Sequence, residues 1–122
     1  MANILIIDDQ QWVKDLCGEK LEGQEHEISM TGDIESVREN VSLFKPDIVL
    51  LNLYLQHGFL VWDVLHDIKM QDPDLPVLIV AANDKYLFEP RLSRADGYLV
   101  KSNFGIDEFK GKITALISRR ST

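Results

Sequence analysis

ILIIDD, residues 4–9, is four branched apolar side chains in a row followed by two carboxylates. A run this short and continuous fits a central strand of a parallel sheet, covered on both faces, because a half-exposed strand would alternate polar and apolar positions. Two further runs, Asp47 to Asn52 and Val77 to Ala82, have the same character, while the first extends from Asn3 to Asp8. Glu25 to Met30 alternates instead, with His26, Ile28 and Met30 set against Glu25, Glu27 and Ser29, as an edge strand does. Gly97 to Lys101 completes a set of five.

Between these runs the apolar spacing lengthens to that of a helix. Val13, Leu16, Cys17 and Leu21 predict a first helix, Ile34, Val37, Val41 and Phe44 a second, and Val61, Val64, Leu65 and Ile68 a third. Ile106, Phe109, Ile113, Leu116 and Ile117 predict the last, with Ser102 or Asn103 as its cap. A fourth helix is expected over Asp84 to Ser93, shortened or kinked where Pro90 removes a backbone donor. Turn residues mark the joints at Pro46–Asp47, Asp72–Pro76 and Asp96–Gly97. Strands alternating with helices imply one α/β domain over residues 1–122, a parallel sheet between two helical layers.

The composition agrees with a globular chain: 45% hydrophobic, 27% charged, with a single cysteine, Cys17, that suits a small buried position. A formal charge of −7 disfavours nucleic acid and anionic lipid as partners of this domain. The basic residues Lys110, Lys112, Arg119 and Arg120 fit a solvated helix face opposing the macrodipole. No apolar run reaches membrane-spanning length, and no secretory leader is recognisable at the amino terminus, so a cytoplasmic location is expected. His26, His57 and His66 lack ligand spacing, which argues against zinc. No Gly-rich phosphate loop is present.

In open α/β sheets functional residues collect beyond the carboxyl ends of the strands. The predicted strands deliver Asp8 and Asp9, Asn52, Ala81 and Ala82, and Lys101 to that edge. Two carboxylates and a lysine from separate strands suit a hard divalent cation and a phosphoryl group. The aromatic residues Trp12, Tyr54, Phe59 and Trp62 fall near the same edge and would suit a binding surface, since rigid aromatics make effective anchors.

Four segments in this order, ILIIDD (4–9), KPDIVLLNL (45–53), PVLIVAAND (76–84) and ADGYLVKSNF (95–104), resemble response-regulator receiver domains over essentially the whole chain. The resemblance implies a flavodoxin-like (βα)5 fold with sheet order 2-1-3-4-5. It also implies that Asp8 and Asp9 match the magnesium-binding acid pair, that Tyr54 offers a backbone carbonyl to the metal, and that Lys101 matches the lysine contacting phosphoryl oxygens. Tyr98 stands at the aromatic switch position. Partners would be a kinase, an output domain or a second copy, engaged through the fourth helix, fifth strand and fifth helix.

The departures from the family pattern carry more information than the matches. Asn52 stands where the phosphoacceptor aspartate is expected, and Ala81 where a hydroxyl residue would reach for the phosphate. Gln56 and Ser102 replace prolines, and the loop before Val61 is longer by one residue. An amide is a very poor nucleophile because its lone pair is delocalised, so Asn52 is not expected to be phosphorylated. Losing one negative charge should also weaken magnesium binding, and Lys101 would be free to bond Asn52 or pair with Asp9. Without a hydroxyl at Ala81 the two-state switch lacks its moving group, and Tyr98 has room to rest partly inward. A laboratory exchange of aspartate for asparagine would account for Asn52 alone, not for Ala81, Gln56 and Ser102.

The expectation is therefore a non-enzymatic pseudo-receiver acting through protein contacts, with magnesium bound weakly. An active phosphoacceptor, with Asn52 exchanged or deamidated, and a small-ligand sensor at the carboxyl edge are the alternatives.

Overall fold

A computed structural model describes residues 2–8, 26–55, 59–100 and 105–121 of the 122. In chain order these form strands β1 (Ala2–Ile7) and β2 (His26–Thr31), helix α1 (Val37–Phe44), strand β3 (Ile48–Asn52), the short strands β4 (Tyr54–Leu55) and β5 (Phe59–Leu60), helix α2 (Trp62–Gln71), strands β6 (Val77–Ala81) and β7 (Gly97–Val100), and helix α3 (Ile106–Ser121). Two 3-10 turns, Ile34–Ser36 and Pro90–Arg94, precede α1 and β7. The predicted first helix, with Cys17 and Trp12, lies outside the described residues.

β2, β1, β3, β6 and β7 pair in that order, all in parallel. Counted within this sheet alone the order is 2-1-3-4-5, as predicted. The period-2 geometry of strands sorts the apolar side chains onto two faces. Leu5, Ile7, Val49, Leu51, Val77, Ile79 and Ala81 join one cluster with Val41 of α1 and Val64, Leu65 and Ile68 of α2. Ile4, Ile6, Ile48, Leu50, Leu78 and Val80 join the other, under Phe109, Ile113 and Leu116 of α3. All five residues of β3 are buried, and each buried Leu or Ile contributes about 2 kcal/mol of transfer free energy. Continuous apolar strands were the right sign of a sheet covered twice.

The joints use polar side chains to finish what the helices leave open. α1 stops at Lys45, whose φ of 52° puts it in the left-handed region, a position that costs a non-glycine residue about 1 kcal/mol. The Asn3 carboxamide donates to the carbonyls of Phe44 at 3.0 Å and Lys45 at 3.3 Å, so the helix end is not left unsatisfied. At the same amino edge Lys69 Nζ lies 2.7 Å from Asp96 Oδ2 and 2.8 Å from the Leu75 carbonyl, and the same Asp96 oxygen accepts from Val77 N. This tie fixes the end of α2 to the starts of β6 and β7.

Two features depart from the predicted elements. No α-helix forms over Asp84 to Ser93. Glu89 is extended (φ −66°, ψ 123°) and the chain turns into a 3-10 helix that begins at Pro90. Proline disfavours the helical conformation in the residue before it, so the helix cannot run through this point and starts on the proline instead. The second departure is the antiparallel pair β4–β5, with Tyr54 opposite Leu60 and Leu55 opposite Phe59, which lies between β3 and α2. The predicted strand boundaries otherwise shift by a residue.

Candidate functional site

Parallel pairing of β1 with β3 sets Ile7 beside Leu51, so the residues that follow, Asp8 and Asn52, are neighbours at the carboxyl edge. Asp8 is fully buried and Asn52 nearly so. Asn52 Nδ2 donates to Asp8 Oδ1 at 2.8 Å. Asp8 N donates to the Thr31 carbonyl at 3.0 Å and Leu53 N to that of Val80 at 3.0 Å, which holds the backbone on both sides of the pair. Ala81 completes the row, buried and paired in register with Val100. A hydrogen bond to an ionised acceptor away from water is among the stronger protein contacts, so this pair is fixed at rest.

Lys101 directly follows Val100, and Asp9 follows Asp8, but both lie outside the described residues, as do Gln56, His57 and Ser102. The suggested Lys101 contacts with Asn52 or Asp9 fall there too. The backbone of Tyr54 is placed in β4, two residues beyond Asn52. Among the described residues no group of three or more His, Cys, Asp or Glu side chains could hold a metal ion. Magnesium takes near-octahedral oxygen ligands, whereas the described groups present one carboxylate, one oxygen of which already accepts an amide hydrogen. Those residues by themselves do not compose a magnesium site.

Beyond Ala81 the chain is pinned by aromatic contacts. Tyr98, half-buried at the edge of the α2-side cluster, donates its hydroxyl to the Asn83 carbonyl at 2.8 Å. Burial raises its pKa above the usual value, the charge of Asp84 and the neighbouring Tyr86 hydroxyl add to the rise, and a hydrogen bond with the Tyr86 backbone opposes it. Tyr86 meets Trp62 edge to face, ring centroids 6.2 Å apart. The Arg91 guanidinium lies 5.1 Å from the Trp62 ring and Lys85 Nζ 5.4 Å from that of Tyr86. Arg91 also bonds Glu89 Oε1 at 2.7 Å, which holds the Glu89 carboxyl below its usual range. Arg94 contacts His66 Nδ1 on α2.

The expected aromatic binding surface is corrected at Trp62. That ring is 6% exposed and belongs to the core over the sheet. Its place as the first residue of α2 turns it inward, where Val61, Val64 and Leu65 also point. Among the described residues the strongly exposed aromatic is one that sequence reasoning passed over: Phe88, 93% exposed, next to Leu87 at 46%. The signal was available in Pro90, which denies this segment the helix that would have given Phe88 an inner face.

Comparison with known proteins agrees with this geometry. The family model for the response regulator receiver domain matches residues 4–114. The probable transcriptional regulatory protein TcrX of Mycobacterium tuberculosis is 29% identical over 97% of this chain and 50% of its own length. The KDP operon transcriptional regulatory protein KdpE of Escherichia coli is 26% identical over 99% of this chain and 53% of its own. The chain thus spans about half the length of these relatives. Among solved structures, the response regulator TrrA of Thermotoga maritima, in complex with magnesium and BeF, superposes with a TM-score of 0.82 at 27% identity, covering 95% of this chain and 99% of TrrA. A CheY-like receiver domain from Methanospirillum hungatei reaches 0.84 at 16% identity, covering 99% and 97%, a likeness of fold.

Proposed function

The chain belongs to the response regulator receiver domain family, and from that membership we propose a receiver module that takes up no phosphate and acts by binding a protein partner. The observation that carries this reading is the buried Asn52–Asp8 hydrogen bond. The strand-end position that would need a nucleophilic carboxylate holds an amide whose nitrogen is already committed as a donor. Ala81 supplies no hydroxyl to follow a phosphoryl group, and the Tyr98 hydroxyl is held by the Asn83 carbonyl.

On this reading the domain has no catalytic residue and is not an enzyme. Magnesium binds weakly, through Asp8 and Asp9 with the Asn52 amide oxygen and the Tyr54 carbonyl, and weaker metal competition frees Lys101 to hydrogen-bond Asn52 or pair with Asp9. Partner contacts use the face of the 84–94 segment, β7 and α3, in the cytoplasm. The partner is a kinase, an output domain or a second copy, and the transcriptional regulatory proteins TcrX and KdpE, about twice the length of this chain, leave room for an output domain. The test is intact mass after incubation with acetyl phosphate and magnesium: no adduct is expected on the native chain, and a stable acyl phosphate at residue 52 would overturn the proposal.

A further inference from the structure

Helices α1 and α2 bury their inner faces in the same cluster but leave a groove between them. Ile34, Val37, Val64 and Ile68 form its apolar floor, with Arg38 on the α1 wall and Asp67 and Gln71 on that of α2. Gln71 Nε2 donates to Ser42 Oγ at 2.9 Å and to the Arg38 carbonyl at 3.0 Å, which ties the two helices at one end of the groove. Next in sequence to Ser42 and Gln71 stand two large apolar side chains that face solvent, Leu43 at 74% and Met70 at 67% exposed. An apolar floor continued by exposed apolar side chains is the make-up of a binding groove.

The elements that build the groove are acidic where they meet solvent. Asp33, Glu35 and Glu39 are exposed on the α1 side, and Asp67 and Asp74 on the α2 side. Against them stand Arg38 and, past the end of α1, Lys45. Lys69 does not count among these bases, because Asp96 holds it at 2.7 Å at the amino edge of the sheet. Asp63 does not count among the acids, because it lies in the field of Arg91. The backbone groups of both walls are spent inside their helices and the Gln71 amide donor is spent on the tie, so an extended chain finds no ladder here. A segment that satisfies its own backbone fits instead. The walls are 8 and 10 residues long, about 12–15 Å, enough for two to three turns of a third helix.

We infer that this groove docks a basic amphipathic helix of a partner protein. The apolar ridge of that helix lies on the floor and against Leu43 and Met70, and its Lys or Arg side chains lie over Glu35, Glu39 and Asp67. Arg38, the base on the wall, faces the carbonyl-rich carboxyl end of the helix and so sets its direction. A second copy of this chain, at a net charge of −7, is the poorer occupant of an acidic groove. None of the lining residues belongs to the 84–94 segment, β7 or α3, so this is a second face beyond the one proposed above, and it is independent of whether Asn52 accepts phosphate.

Titration of the full isotope-labelled chain with a synthetic amphipathic leucine–lysine peptide of about 14 residues tests it, beside a leucine–glutamate peptide of the same pattern. The lysine peptide should bind saturably, with amide shifts centred on residues 34–43 and 64–71, and the glutamate peptide should not bind. Asp67→Lys should weaken binding by about tenfold and Leu43→Ser/Met70→Ser by about fivefold. Glu27→Lys, the same change of charge at an exposed position of β2, should leave affinity within about twofold. All four positions are exposed, so the variants keep the fold. The proposal is overturned by an absence of saturable binding, by shifts centred on residues 84–100, or by equal losses from Asp67→Lys and Glu27→Lys, which would mean attraction to net charge alone. Self-association of the free chain that Asp67→Lys abolishes would make the occupant a second copy and overturn it too. Each of these results leaves the acetyl phosphate test of the preceding section standing.

Discussion

Asn52 Nδ2 sits 2.8 Å from Asp8 Oδ1, both side chains buried at the carboxyl edge of the sheet. An aspartate in place of Asn52 would put two carboxylates at that distance. Without a cation to separate their charges, Asn52→Asp should lower stability by about 2 kcal/mol, the worth of a buried hydrogen bond to a charged group. Millimolar magnesium should then raise the melting temperature of the variant more than that of the native chain. Urea unfolding in EDTA and in magnesium measures both, and equal stability in EDTA would count against the resting pair.

Lys69 and Asp96 are 13% and 20% exposed and share contacts with Leu75 and Val77. Lys69→Met removes the cation and leaves a partly buried carboxylate with the Val77 amide and the more distant Arg119 at 3.8 Å. A loss of about 1–2 kcal/mol is expected, after discounting for solvent screening. Denaturant midpoints at constant m-value decide it, and an unchanged midpoint would show that the tie holds nothing.

At Gly97 a Cβ would lie 2.8 Å from Leu78 Cδ1 and 3.0 Å from Lys112 Cε. Lys112 can swing away, but Leu78 is fully buried. Gly97→Ala should therefore cost about 1–2 kcal/mol by overpacking the seam between β7 and α3. Lys112→Ala alone should not relieve it; if it does, the lysine and not the core sets the limit.

Burial raises the Tyr98 pKa above its ordinary value of 10.0. The folded chain therefore keeps this proton longer than the unfolded one. The associated stability is fully present below the unfolded pKa and is lost as pH climbs through the folded value. Tyr98→Phe should abolish this alkaline component while costing about 0.5–1 kcal/mol near neutrality through the lost bond to Asn83. Thermal melts from pH 8 to 11 would register the difference, and parallel curves for both chains would refute the assignment.

The central strands could be read without coordinates because burial on both faces requires unbroken apolar residues, as in Ile4 to Ile7 and Ile48 to Leu51. Helix α3 was equally legible from the spacing of Phe109, Ile113 and Leu116. The β4–β5 hairpin was not, since two-residue strands are too short to show a period. Trp62 was misjudged for a related reason: a ring near a loop looks exposed in one dimension, and only the angle at which α2 meets the sheet turns it inward.

What the sequence by itself determined is chemistry: an amide at 52, a methyl at 81, and strands that carry both to one edge. Those follow from residue identity and strand period, which are local. The tertiary structure alone decided that Asn52 donates to Asp8, that Tyr98 hangs from Asn83, and that Phe88 stands clear of the core. Each depends on how distant segments approach one another, and no spacing along the chain encodes that distance.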